Sequence, residues 1–106
     1  MYHIKLRVGF SPHFEHKDTY QFTFKDIPSF KDEFLKRFGN VVGSNRVMKD
    51  KPTVKKRTQM IQTIPDIVTW QQLVNSESHW TIQIVYLYES KPHSNNRTEI
   101  YSIKNQ

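Results

Sequence analysis

The sequence predicts a single α+β domain. Segments near both ends of the chain alternate apolar and polar residues with a period of two, the spacing of a half-buried strand. Segments between them repeat apolar residues every three to four positions, the spacing of an amphipathic helix. At 106 residues the chain can close one modest core and is too short for two. Without cysteine it can form neither a disulfide framework nor a thiolate metal site, so packing and hydrogen bonds must hold it together. Seven Phe, five Tyr and two Trp supply the apolar area that the few aliphatic residues do not.

From Tyr2 to Phe10, the residues Tyr2, Ile4, Leu6, Val8 and Phe10 share one parity, and His3, Lys5 and Arg7 share the other. One face of this strand is core and the other is wet. The segment "TYQFTF" sets Tyr20, Phe22 and Phe24 against Gln21 and Thr23 in the same way. The polar, Pro-containing stretch between the two predicts a hairpin whose loop is longer than a tight turn. In "DIPSFKDEFLKRFG", Ser29 is placed to cap a helix, with Asp32 three residues on. Phe30, Phe34 and Phe38, with Leu35 beside them, form one aromatic stripe, and Gly39 closes the helix.

Residues 40–52 hold Gly43, Ser44, Asn45 and Pro52 without sustained periodicity, which predicts a flexible loop. From Thr53 to Ile64, β-branched and polar residues mix without clean alternation, which suggests an edge or irregular strand. Pro65 then opens a second, short helix with Ile67, Trp70, Gln71 and Val74 on one side. "HWTIQIVYLYE" puts Trp80, Ile82, Ile84, Tyr86 and Tyr88 in one register. Val85 and Leu87 make its second half apolar on both faces, as in a central strand. After "SKPHSNNR", the run "TEIYSI" completes a hairpin as a last edge strand. No repeat, low-complexity tract or linker divides the chain.

The order hairpin, helix, strand, short helix and central strand resembles the β-grasp, or ubiquitin-like, fold from Tyr2 to Tyr88. Among such domains the chain is most similar to the Phox/Bem interaction type. That resemblance implies a mixed sheet and a Lys on the first strand that meets an acidic motif of a partner. In "YHIKLRV" the matching residue is Lys5. A ferredoxin-like α+β sandwich is the alternative arrangement of two helices and four strands.

Charge is concentrated in one place. Between Arg46 and Arg57, six basic residues face the single acid Asp50, a net +5 out of a whole-chain charge of +6. Arg46, Lys49, Lys51, Lys55, Lys56 and Arg57 can neutralise phosphates and release counterions, dock an acidic protein surface, or simply be solvated. Lys5 and Arg7 lie on the wet face of the first strand and can extend such a surface. The tyrosines mostly share parity with core positions, so they are expected inside; Tyr101, near the end, is the least constrained.

"HFEH" offers His13, Glu15 and His16, with His3 on the strand leading into it. Zinc binding or acid–base cleavage of RNA would each need further placed groups, and a polar hairpin loop is the simpler expectation. Three glycines leave no phosphate loop and no nucleophile elbow, there is no Cys nucleophile, and the carboxylates are scattered. The alternating N-terminus is unlike a signal peptide and no apolar stretch approaches bilayer length, so an intracellular, cytoplasmic or nuclear protein is expected. The expected function is a non-catalytic interaction module, without cofactor or metal, that docks an acidic protein partner through its basic surface. Binding of RNA or DNA through the same residues is the alternative.

Overall fold

The computed structural model describes residues 1–10, 15–39 and 45–103, with the side chains of residues 1–9, 18–39 and 50–103. Along strand β1, Tyr2–Phe10, the side chains of Ile4, Leu6 and Val8 turn to one side and are fully buried, and Lys5 and Arg7 take the other. Strand β2, Glu15–Phe24, pairs antiparallel with β1, and Tyr20, Phe22 and Phe24 widen the apolar side. On its other edge β1 pairs with β3, Trp80–Ser90, which pairs in turn with β4, Arg97–Ser102. The sheet order is β2-β1-β3-β4. Three helices connect the two hairpins and pack on the apolar side: α1, Ile27–Gly39; α2, Asn45–Gln59; and α3, Asp66–Glu77.

The chain is therefore α+β, as the alternating and helical periods predict. Within that class several details differ from the expectation. The residues from Asn45 to Gln59 are helix, where a loop to Pro52 and a strand from Thr53 were expected; residues 40–44 lie outside the described residues. The core-facing stripe of α2 is Asp50, Val54 and Thr58, one residue every four, all buried. Two of those three are polar, so no apolar period marks the helix, and Pro52 argues locally against one. Pro52 is exposed, and its ring costs the helix one internal hydrogen bond.

Every pairing in the sheet is antiparallel, in place of the expected mixed sheet, because β1 and β3 run in opposite directions. A ferredoxin-like order would insert a helix between the first two strands, which here form a direct hairpin. The cap of α1 is Asp26, whose Oδ1 accepts the Ser29 amide at 2.9 Å; Ser29 is the donor and not the cap.

Aromatic rings fill the space between the layers. Phe30, Phe34 and Phe38 run along α1 in stacked sequence, with centroid spacings of 6.2 and 5.7 Å. Trp70 of α3 meets Phe30 and Phe34 edge-on at 5.7 and 4.9 Å, and Trp80 meets Phe38 edge-on at 5.2 Å. The Trp70 indole donates to Thr58 Oγ1 at 3.1 Å, and that hydroxyl donates to the Val54 carbonyl at 2.7 Å. Asp50 accepts the His79 amide at 3.1 Å and ties α2 to the turn before β3.

β4 pairs only with the second half of β3, so among the described residues the first half has no strand on that side. Two amide side chains of α3 take the strand's place. Asn75 accepts the Ile82 amide at 2.7 Å and donates to the Ile82 carbonyl at 3.0 Å, while buried Gln71 accepts the Ile84 amide at 2.9 Å. Replacing Gln71 by Leu orphans the Ile84 N–H in a dry setting. It is expected to cost about 1–3 kcal/mol, seen as a lower urea midpoint at an unchanged slope.

Acid is expected to weaken the fold by a definable route. The Asp26 carboxyl lies below its ordinary value of 3.8 because the Ser29 hydroxyl and amide hydrogen-bond to it. Asp66 lies below it because the Gln62 and Thr63 amides donate to its Oδ2. A carboxylate depressed in the folded state contributes stability that is present above its unfolded value and fades as pH falls through the folded one. Urea midpoints should therefore hold above about pH 4 and drop below it, and Asp26→Asn with Asp66→Asn should flatten that acid limb.

Candidate binding surface

The face of the sheet that the helices leave open is built by cross-strand rows. One row runs Gln21, Lys5, Tyr86, Ser102, and the next runs Thr23, His3, Tyr88, Glu99. Arg7 lies between Thr19 and Gln83 in a third. Two tyrosines stand in these rows although their parity in the sequence groups them with Ile82 and Ile84. The cause is a β-bulge. Leu6 faces Ile84 and Lys5 faces Tyr86, so Val85 has no partner on β1 and the alternation resets. Leu87 then turns inward opposite Ile4 and is fully buried, and Tyr86 and Tyr88 turn outward, half-buried.

The outward side chains form a connected cluster. The His3 ring stacks on Tyr88 at 4.6 Å and 11°, and its Nε2 lies 2.8 Å from Ser90 Oγ. Tyr86 sits 5.5 Å from Tyr88, and the Arg97 guanidinium lies over the Tyr88 ring at 4.8 Å. The tyrosine pair is a ridge with a cleft on each side. Lys5, Arg97, Glu99 and Ser102 line one, of about 690 Å³; His3, Gln21 and Thr23 line the other, of about 580 Å³, which reaches Arg37 of α1. Lys5, Arg7 and Arg97 give this face a cationic bias against Glu99 alone within the rows.

The residues singled out from the sequence separate into two groups. Lys5 and Arg7 belong to the open sheet face. Lys51, Lys55, Lys56 and Arg57 belong to α2, in the helix layer on the other side. Lys55 and Lys56 are exposed, and Lys51 reaches towards Gly39 at the end of α1. Arg57 is committed to Glu77 by a bidentate ion pair, with Nε 2.7 Å from Oε2 and Nη2 on Oε1. That pair raises the arginine's pKa and lowers that of Glu77. Arg46 and Lys49 are placed on α2 by its backbone, and their side chains lie outside the described residues.

His13 also lies outside the described residues, as do the side chains of Glu15 and His16. Among the described residues no group of three His, Asp or Glu is arranged to hold a metal ion, and no helix is long and apolar enough to cross a membrane. Sequence periodicity missed Tyr86, Tyr88 and Arg97 as surface groups. The signal available was the unbroken run "IVYLY", in which strict alternation buries either Tyr86 and Tyr88 or Val85 and Leu87, and a bulge is the way to bury Leu87 beside Ile84.

Compared with models of known protein families, with curated proteins and with solved structures, the chain matches none.

The inverted faces have a direct test. Leu87→Ala is expected to lower stability by about 2–5 kcal/mol, as for a leucine cut from a closed core. Tyr86→Ala should cost markedly less in the same urea titration. The reverse order would place the tyrosine inside and remove the bulge.

Proposed function

We propose that this chain is a non-catalytic binding domain whose open sheet face takes up single-stranded nucleic acid. The supporting observation is the interleaving of Tyr86, Tyr88 and His3 with Lys5, Arg7 and Arg97 on the sheet face that none of the described helices covers. Cations alone suit any polyanion, because they neutralise phosphates and release counterions. Aromatic groups beside them add contacts that only unstacked bases can use, and a single strand presents those bases where a duplex hides them. An antiparallel sheet sets both kinds of group at strand spacing along one surface.

A second reading has its own support. Lys55 and Lys56 are exposed beside Lys51 on α2, and they suit an acidic protein surface docked on the helix layer. Lys5 would be the contact if the partner approached the first strand, as the Phox/Bem resemblance implies.

Fluorescence anisotropy with labelled single strands of RNA and DNA and with a duplex, at low and near-physiological salt, separates the two. Single strands are expected to bind the parent protein more tightly than the duplex. Tyr86→Ala should weaken binding by about 5- to 150-fold, as loss of one base–aromatic contact of about 1–3 kcal/mol does. Lys5→Gln with Arg97→Gln should reduce the salt dependence. Lys55→Gln with Lys56→Gln should leave binding near the parent value. Loss in the α2 variant with none in the sheet variants would move the site to the helix layer, and failure of every oligonucleotide to bind would leave an acidic protein as the partner to seek.

A further inference from the structure

The two clefts beside the tyrosine ridge differ in chemistry. The cleft towards β4 carries Lys5 and Arg97 together with the Glu99 carboxylate. The cleft towards β2 is lined by the polar side chains of Gln21, Thr23 and His3, together with Glu33 and Arg37 of α1, which pair with each other at 3.2 Å. Gln21 is exposed and heads the cross-strand row that continues through Lys5 to Tyr86. It is the one amide in the two rows that cross the ridge, and an amide offers both a donor and an acceptor in one plane.

Resting on the nucleic-acid reading above, we propose that the β2-side cleft is a base-reading subsite in which Gln21 determines specificity. A strand crossing the sheet along the Gln21–Lys5–Tyr86 row meets three different chemistries in order. The Gln21 amide faces the edge of one base, the Lys5 ammonium meets the phosphate that follows, and the next base lies against Tyr86. Paired donor and acceptor groups on a Gln or Asn side chain discriminate among base edges, whereas a lysine on a phosphate does not. The Watson–Crick edges of a single strand are free to be read in this way. The Lys5 and Arg97 side of the ridge supplies sequence-independent attraction, and the Gln21 side supplies preference. Exchange of Gln21 for Glu keeps the size and acceptor and removes the donor, so the subsite should then disfavour uracil, whose O4 asks for a donor, relative to cytosine, whose N4 amino group supplies one.

The experiment is competition anisotropy with short oligo-A, oligo-C and oligo-U of equal length at one fixed salt concentration. The parent protein is measured beside Gln21→Leu, Gln21→Glu and Tyr86→Ala. The parent is expected to show a several-fold spread among the three. Gln21→Leu should collapse that spread with the salt dependence unchanged, and Gln21→Glu should move the preference from U towards C by at least several-fold. Tyr86→Ala should weaken all three alike. Binding without preference in the parent, or a preference that survives Gln21→Leu, would overturn the base-reading role and leave the binding face intact. Absence of binding by any of the three would overturn the underlying reading as well. Unchanged far-ultraviolet circular dichroism of the exposed-site variants confirms that each comparison is made between folded proteins.

Discussion

The Trp70 indole is the constraint on which the rest of the structure leans. Its ring wedges edge-on against Phe30 and Phe34 of α1, and its N–H reaches across to Thr58 of α2. One side chain thus ties α3 to both α1 and α2. Thr58 is satisfied in both roles, as acceptor from Trp70 and donor to Val54, so a fully buried hydroxyl carries no desolvation penalty without return. With the helices held as one layer, the apolar side of the sheet is closed and the opposite side carries none of the described core. The composition of the open face can vary because the core is complete without it.

Much of this was legible in the sequence wherever burial imposed a clean period. The alternation in β1 and β2, the four-residue spacing of the phenylalanines in α1 and the inward set of α3 all carried over, including buried Gln71, whose place among apolar residues had no evident reason until its bond to the Ile84 amide was seen. α2 was hidden because its buried stripe is made of Asp50, Val54 and Thr58. A carboxylate and a hydroxyl can face a core when each meets a specific partner, and no count of apolar residues reports that. The surface tyrosines were hidden for a different reason. Parity is inherited along a strand only while the ladder is unbroken, and one unpaired residue resets it.

The basic character of the chain also reads differently in three dimensions. A dense run in the sequence became a helix face on which one arginine is tied to Glu77 and the lone acid is drawn into the interior against the His79 amide. The cations of the sheet face come from opposite ends of the sequence, Lys5 and Arg7 from one and Arg97 from the other, and strand order brings them onto one face. Composition could place charge on the protein but not on a side of it. Proximity in the chain marked a solvated helix surface, whereas proximity across strands marked the surface in which cations meet aromatic rings.

The bulge at Val85 has a consequence for how such a surface can be gained or lost. Point substitutions at Tyr86 or Tyr88 alter it one group at a time. Pairing of Val85 with Lys5 would instead restore strict alternation and exchange the exposed pair with Leu87, turning two aromatic rings towards the core and a leucine towards water. Every residue would be kept and the chemistry of the face would be inverted. The identity of this surface is thus written in the pairing register of the strand as much as in its letters, and a comparison of chains by composition would miss the difference.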